Sequence, residues 1–304
     1  MKLAKLVHNP GAGEKRLSKK ELTAFIKAKG WDCRYSSTKG KDFSAIHPKT
    51  DFIIVAGGDG TVRKASAQIF ERKLIEKRLP IALLPTGTAN NIARTLGIEG
   101  ELSFLIESWY NQQVKAFDIG KIEGLTGYSF FLEALGAGVF PKLIREMESA
   151  DPLLTQTPEQ EIELALQKLH EIILAYEAKQ ARIQVDEQTY SGNFLIVEIM
   201  NIQSIGPNLL LSDGSDPGDG ELELMLVYEE DRQKLADYVL AIINGKSPAF
   251  PFNAIKGKKF ELEWGNSYLH VDDVVTKTEK RTPVKIQPNP RVLEFLIPGP
   301  LLKQ

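Results

Sequence analysis

Phe52-Ile53-Ile54-Val55-Ala56 followed by Gly57-Gly58-Asp59-Gly60-Thr61 decides the fold of this chain. The apolar run is typical of a buried strand, and residues 62–71 have the spacing of an amphipathic helix. Glycines at the end of a strand allow the backbone to approach an anion closely. The helix that follows points free N–H groups and the positive end of its dipole at the same place. The stretch therefore predicts a strand, an anion-binding loop and a helix.

A second loop of the same design follows the next strand. Ile81–Leu84 is apolar, and Pro85–Asn91 reads Pro-Thr-Gly-Thr-Ala-Asn-Asn before a helical run that begins at Ile92. Neither loop matches a Walker loop or Gly-x-Gly-x-x-Gly, and two ordinary β–α turns of a doubly wound sheet are the alternative. Two such loops favour a phosphate-bearing ligand, most simply a nucleotide. Asp59 would repel a bare phosphate, so we expect it beside a bridging metal or as a proton acceptor.

The hydrophobic pattern changes near residue 120. Residues 1–120 predict a doubly wound α/β nucleotide-binding domain, to which a strand within about 291–304 is expected to return. Residues 121–290 are dominated by strands with short turns, which predicts an antiparallel β-sandwich. A helix interrupts them at about 158–178, because Thr157 and Gln160 have the spacing of a capping box. The predicted fold class is thus α/β plus all-β.

The composition narrows the function classes. Lys and Arg number 38 against 40 Asp and Glu, a formal net charge of −2 without blocks of like charge. This argues against nucleic acid as the main partner. The single cysteine, Cys33, fits a reducing compartment. No apolar run approaches the roughly 20 residues that cross a bilayer. We therefore expect a soluble, cytoplasmic protein.

The two loops also carry a family resemblance. Gly57–Thr61 together with Pro85–Arg94 resembles the catalytic domain of diacylglycerol and sphingosine kinases, especially the soluble lipid kinases of bacteria. Asn9–Gly13 is similar to the Asn-Pro loop of that family, and Tyr128–Gly138 to the start of its second domain. Asp216–Leu222 resembles the acidic turn that holds a structural magnesium ion in bacterial members. The resemblance covers most of the chain.

The resemblance implies an ATP-dependent kinase that phosphorylates a lipid hydroxyl. ATP would lie in the cleft between the domains, with Mg²⁺ bridging its β- and γ-phosphates. The residues implied in nucleotide binding are Asn9, Thr38, Gly57, Gly58, Gly60, Thr61, Gly87, Thr88 and Asn90. The acidic turn offers Asp216, Asp219 and Glu221 as metal ligands, with a plain turn as the alternative. A lipid or other small hydroxyl compound is the implied acceptor, and transient membrane contact and a homodimer are compatible with the sequence.

Three departures from the family pattern fall on the chemistry. An acidic residue of the family is replaced by Lys64 after the first loop, and another by Asn91 in the second. The glutamate implied as general base is replaced by Val274, which cannot accept a proton. Asp272, Asp273 or Glu279 could take over that role, so the candidate catalytic carboxylates are Asp59, Asp272 and Asp273. The alternative is that Asp272 and Asp273 only form a β-turn.

Three function classes follow. The leading one is a lipid kinase of the diacylglycerol kinase type. The second is a degenerate member that binds nucleotide or lipid without phosphoryl transfer, which the valine at position 274 favours. The third is a kinase with a soluble acceptor such as NAD, since Gly-Gly-Asp-Gly-Thr also occurs in NAD kinases.

Overall fold

The computed structural model describes residues 2–11, 18–40, 43–70, 77–265, 268–278 and 283–299. The chain divides into two compact units, residues 1–117 with 291–304 and residues 118–290. Glu279 and part of the Asn9–Gly13 loop, to which the sequence analysis assigned functions, lie outside the described residues. Among the described residues, no helix is long and apolar enough to span a bilayer.

The first unit alternates strands and helices. Its elements are β1 (Leu3–His8), α1 (Lys19–Ala28), β2 (Asp32–Ser37), β3 (Phe52–Gly57), α2 (Asp59–Phe70), β4 (Ile81–Pro85), α3 (Asn91–Thr95) and α4 (Leu102–Ser108). A 3₁₀ helix follows at Trp109–Asn111, and β5 (Val114–Glu123) then continues into the second unit. Helix α1 begins directly after Ser18, because Ser18 and Glu21 form a capping box.

The sheet of the first unit is parallel. Its strand order is β2-β1-β3-β4, and the last part of β17 (Val284–Leu296) pairs with β4 through Phe295 and Ile81. Strands buried on both faces are expected to be continuously apolar, and all six residues of β3 are buried. The strand expected within residues 291–304 therefore joins this sheet.

The second unit is built mainly of antiparallel strands. Its remaining elements are β6 (Phe130–Phe131), β7 (Ala134–Gly138), α5 (Val139–Glu148), α6 (Pro158–Ala175), β8 (Lys179–Val185), β9 (Gln188–Met200), β10 (Ser204–Ile205), β11 (Leu209–Leu210), β12 (Leu222–Tyr228), α7 (Arg232–Ile243), β13 (Ile255–Gly257), β14 (Phe260–Trp264), β15 (Tyr268–Val271) and β16 (Val274–Lys277). A further 3₁₀ turn at Pro152–Leu154 separates α5 from α6, and another at Glu229–Asp231 precedes α7.

Two hydrophobic cores lie on opposite faces of the strands in this unit. Alternate residues show this division: Val197 and Leu224 belong to the core enclosed by the strands, whereas Ile196 and Met225 belong to the core beneath α5, α6 and α7. The helix predicted at about 158–178 is α6, which begins at the capping box of Thr157 and Gln160. It ends at Ala175, because the backbone of Tyr176 is already extended.

Candidate functional site

The candidate nucleotide-binding segments meet at one edge of the first unit's sheet. In the parallel register, His8 at the end of β1 pairs with Ser37 and Ala56, and Gly57 at the end of β3 pairs with Pro85. The loops that follow these strand ends therefore leave the sheet on the same side. In the order β2-β1-β3-β4, the chain reverses its direction of winding between β1 and β3. Open α/β sheets bind ligands in the crevice at such a point, beyond the carboxyl ends of the strands.

The two glycine loops pack directly against each other. A Cβ atom added at Gly87 would lie 2.3 Å from the Cα atom of Gly58, and one added at Gly58 would lie 3.0 Å from the Cα of Gly87. A Cβ at Gly57 would lie 2.4 Å from Oγ1 of Thr61, which is a buried side chain. These three glycines are thus required by contacts inside the protein. The sequence analysis had explained them by the approach of a ligand, with ordinary β–α turns as the alternative, and not by a contact between the two loops.

Asp59 connects the two loops through its carboxylate. Its Oδ2 accepts a hydrogen bond from the backbone N–H of Asn91 at 2.9 Å, and its Oδ1 accepts one from that of Ile92 at 3.1 Å. These are the first two residues of α3, whose N–H groups have no acceptor within the helix. Asp59 therefore acts as the N-terminal cap of α3 from the start of α2. Its predicted roles, beside a bridging metal or as a proton acceptor, stay predictions.

Other residues implied in nucleotide binding make local contacts at the same edge. The Asn90 side chain accepts a hydrogen bond from the Gly87 N–H at 3.0 Å and donates one to the Gly87 carbonyl at 2.7 Å, which closes the second loop. Oδ1 of Asn9 accepts from the Gly11 N–H at 3.2 Å. The Thr38 N–H donates to the His8 carbonyl at 3.0 Å. Asn9, Thr38 and the two glycine loops are therefore brought together at this edge, whereas the amide of Asn90 serves the loop itself.

The candidate catalytic turn of the second unit lies between β15 and β16. Asp272 is buried, and its Oδ1 accepts hydrogen bonds from the backbone N–H groups of Leu132 at 3.0 Å and Glu133 at 2.8 Å. Its own backbone is left-handed, with φ of 53°. Asp273 is exposed, and no described residue bonds to its carboxylate. The two aspartates do form a turn, but only Asp273 presents a carboxylate to solvent.

A buried ion pair that the sequence analysis missed stands beside this turn. Nε2 of His270 lies 2.9 Å from both carboxylate oxygens of Glu198, and its Nδ1 lies 2.7 Å from the Asp272 carbonyl. Strand β7 lies between their two strands and places Gly136 between the two side chains. A Cβ atom at Gly136 would lie 2.0 Å from the Glu198 carboxylate. A single glutamate inside the apolar run of β9 was the available sequence signal, since buried charges are rare without a partner.

The protons of this pair follow from its contacts. A carbonyl can only accept, so Nδ1 of His270 carries a proton and one further proton is shared between Nε2 and Glu198. Burial raises the pKa of Glu198, an effect that His270 partly offsets. Burial opposes charge on His270 as well, but the Glu198 carboxylate and the Asp272 carbonyl outweigh it, so the pKa of His270 is raised. The pair therefore keeps its shared proton, and its neutrality, above the ordinary titration range of histidine.

We expect this pair to make stability depend on pH. Because the folded pKa of His270 is raised above 6.5, its stabilisation is complete below that value and is lost as the pH rises through the folded pKa. Urea unfolding between about pH 6 and about pH 9 should show a falling free energy of unfolding. Glu198→Gln should flatten this decline, because the shared proton is gone. An equally steep decline in the variant would contradict the assignment.

The acidic turn is tied to the rest of the second unit by buried polar groups. Oδ2 of Asp118, a fully buried residue of β5, accepts a hydrogen bond from the Gly220 N–H at 2.7 Å. The side chain of Asn201 donates to the carbonyls of Asp118 at 3.0 Å and Leu132 at 2.9 Å. Leu132 also donates to Asp272, so one chain of hydrogen bonds runs from the acidic turn to the candidate catalytic turn. The sequence analysis assigned no role to Asp118 or Asn201.

The acidic turn itself does not have the arrangement of a metal site. Among the described residues, no group of three His, Cys, Asp or Glu side chains is placed to hold a metal ion. Asp216 and Asp219 each accept from a backbone N–H two residues further on, at 3.0 Å. Nζ of Lys256 lies 3.0 Å from Oδ2 of Asp219, and Lys258 lies 3.7 Å from Glu221. Lysine ammonium groups thus stand where the magnesium prediction places a cation, and we derive no step through a metal here.

Comparison with known proteins shows which family the first part of the chain resembles. Residues 4–122 match the diacylglycerol kinase catalytic domain, so the resemblance recognised in the two loops is confirmed. The match covers the first of the two units and the beginning of the second. The matched residues contain both glycine loops, the Asn9 loop and the strands that position them.

Individual relatives extend the similarity over most of the chain. A diacylglycerol kinase of Bacillus subtilis (strain 168) is 24% identical over 250 residues, which are 79% of this chain and 77% of that protein. The crystal structure of a diacylglycerol kinase from Bacillus anthracis str. Sterne has a TM-score of 0.70 at 20% identity and covers 98% of this chain and 97% of its own. An NAD kinase from Archaeoglobus fulgidus in complex with ATP has a TM-score of 0.54 at 12% identity, with 98% and 94% covered. These likenesses confirm the predicted fold class, an α/β domain followed by a β-sandwich.

Proposed function

We propose that the protein is an ATP-dependent lipid kinase that phosphorylates a hydroxyl group of a diacylglycerol-like lipid. The observation that carries this proposal is the pair of interlocked glycine loops at the carboxyl edge of the parallel sheet, beside the point where its winding reverses. The match of residues 4–122 to the diacylglycerol kinase catalytic domain and the name of the Bacillus subtilis relative support a lipid acceptor.

The first unit supplies nucleotide binding in this proposal. The N-terminus of α2 follows directly on Gly58, and the first N–H groups of a helix are available to a phosphate. By capping α3, Asp59 fixes the second loop relative to the first. ATP would supply the phosphoryl group. Phosphoryl transfer depends mainly on positioning, which suits two loops that pack directly against each other.

The second unit supplies the proton acceptor in this proposal. A phosphoryl acceptor hydroxyl must lose its proton, and kinases commonly use a carboxylate for this step. We assign that role to Asp273, because it is exposed and has no hydrogen bond to a described residue. Asp272 is committed to the backbone of Leu132 and Glu133 and holds the turn. The lipid hydroxyl would thus give its proton to Asp273 as its oxygen forms the new bond to the γ-phosphorus of ATP. The bond from that phosphorus to the bridging oxygen would break, and ADP would leave with the electron pair.

One observation favours a second function, binding without transfer. Val274 stands where the family resemblance implies the general base, and its side chain is 37% exposed. If Asp273 does not replace that base, the protein binds nucleotide or lipid only. The test is consumption of ATP by the purified protein with magnesium and mixed lipid micelles, together with a direct measurement of ATP binding. Phosphorylated lipid supports the kinase, binding without product supports the second function, and no binding overturns both.

Asp273→Asn should separate proton transfer from nucleotide binding. We expect kcat to fall by about 10²- to 10⁴-fold, the usual contribution of a general base, with little change in ATP affinity. Lipid phosphorylation and calorimetric ATP binding measure the two effects. Asp213→Asn, which alters another exposed carboxylate of the same unit, is the matched control and should keep full activity. Full activity in Asp273→Asn would remove this residue from the mechanism.

A further inference from the structure

The Glu198–His270 pair is better placed to hold the candidate catalytic turn than to add packing energy. Three strands carry it in one row: His270 on β15 pairs with Gly136 on β7, which pairs with Glu198 on β9. His270 reaches Glu198 across a position that has no side chain. Replacing a buried ion pair by apolar residues often costs no stability. A pair that also requires a glycine between its members therefore points to a specific task.

The hydrogen bonds of the turn indicate what the pair does. Residues 271–274 connect β15 to β16, and hydrogen bonds hold Asp272 in this turn at two places. Nδ1 of His270 donates to the Asp272 carbonyl at 2.7 Å, and the Asp272 carboxylate accepts from Leu132 and Glu133. The backbone of Asp272 has a positive φ of 53°, which is uncommon for a residue with a side chain. Both sets of hydrogen bonds are made by Asp272, the residue directly before Asp273.

We propose that His270 is a positioning residue, anchored by Glu198, which holds the turn of residues 271–274 and so fixes the direction of the Asp273 carboxylate. The catalytic consequence rests on the proposed kinase function, since Asp273 is the residue that we propose as proton acceptor. That His270 holds the turn follows from the contacts of the turn and does not depend on kinase activity. Phe140, whose ring centroid lies 6.2 Å from that of His270, covers the pair from α5.

Two substitutions of His270 test separately its contact with the Asp272 carbonyl and its contact with residue 198. Asparagine places its amide near the position of Nδ1 and keeps a donor for the Asp272 carbonyl, whereas glutamine extends toward Glu198 and loses that bond. Both are made in a Glu198→Gln background, so that no carboxylate is buried without a partner. Glutamine at 198 can donate to Nε2 of a neutral His270, so this background should keep the turn. His170→Gln, on α6 and away from the turn, is the control for a change of histidine.

Hydrogen exchange is the measurement, because it does not require activity. We expect His270→Gln to speed exchange of the Leu132 and Glu133 N–H groups about tenfold or more, through local opening. His270→Asn should stay near the background rate. A side chain that only fills space predicts the opposite order, because glutamine is closer to histidine in size. Equal rates in the two variants, or faster exchange in His270→Asn, would overturn the proposal.

Kinetics then connect the turn to the reaction. In an active enzyme, His270→Gln should lower kcat about tenfold or more with little change in KM for ATP, because a small displacement of a catalytic group is costly. An unchanged kcat would overturn the functional part of the inference. If the exchange rates follow the expected order but the wild type transfers no phosphate, the turn assignment stands and the kinase proposal fails. The two failures are therefore distinguishable.

Discussion

Asp59→Ala should strongly slow phosphoryl transfer and weaken ATP binding, and it should also destabilise the first unit. The Asp59 carboxylate accepts the N–H groups of Asn91 and Ile92, so its loss leaves the first turn of α3 uncapped. Loss of a helix cap costs about 1–2 kcal/mol. The larger effect is on function, because the second glycine loop loses the hydrogen bonds by which Asp59 fixes it relative to the first. We expect kcat to fall about 100-fold or more, since such preorganisation is worth several kcal/mol.

Two further variants separate capping from charge. Ser18→Ala removes the cap of α1 in the same unit, where Ser18 and Glu21 form their capping box. It should cost about 1 kcal/mol of unfolding free energy without changing ATP affinity. Asp59→Asn retains one carbonyl acceptor but not the charge. If Asp59→Asn keeps normal ATP binding and loses transfer, the charge acts in the chemistry; if Asp59→Ala behaves like Ser18→Ala, the carboxylate only caps.

Local signals predicted the elements that local contacts determine. The capping box at Thr157 joins residues three positions apart, so its sequence is sufficient to predict where α6 begins. The apolar run of β3 and the glycines after it likewise predict a buried strand and a tight turn. For the same reason the two loop-bearing β–α units were predictable from sequence, and with them the resemblance that the match of residues 4–122 confirms.

Contacts between distant residues decide what the predicted residues do. Asp59 was interpreted within its own loop, but the N–H groups that it accepts lie in the second loop, at Asn91 and Ile92. Gly136, Glu198 and His270 lie on three strands, and only the sheet register brings them into one row. The hydrophobic periodicity and the turn residues of a sequence do not show which residues of different strands pair with each other. The candidate site could therefore be located from the sequence, but its internal support could not.

The same limit applies to the acidic turn. Asp216, Asp219 and Glu221 have a spacing that suits a hard cation, and the sequence cannot show what approaches them from elsewhere. Lys256 lies next to Asp219 because β13 pairs with β12. Neighbouring carboxylates in turn raise the pKa of Lys256, with the hydrogen bond to Asp219 as the main cause. The ammonium group of Lys256 thus already supplies a positive charge at this turn.

Gly87→Ala should disrupt the contact between the two glycine loops and, with it, nucleotide binding. The new Cβ would lie 2.3 Å from the Cα of Gly58 and 2.9 Å from Oδ1 of Asn90. The first of these atoms belongs to the backbone, so no side-chain rotation can relieve the overlap. Overpacking of this kind costs about 3 kcal/mol. We expect a lower midpoint in urea unfolding and a loss of measurable ATP binding in calorimetry.

Gly214→Ala and Gly97→Ala are the controls for this result. A Cβ at either position meets no atom within 4 Å, so neither substitution introduces an overlap. Gly97 has a positive φ of 65°, so its variant should lose about 1 kcal/mol through backbone strain alone, whereas Gly214→Ala should be nearly neutral. Both should bind ATP as the wild type does. If Gly87→Ala also binds ATP normally, the close contact of the loops is not what forms the nucleotide site, and the glycines serve only to pack two turns.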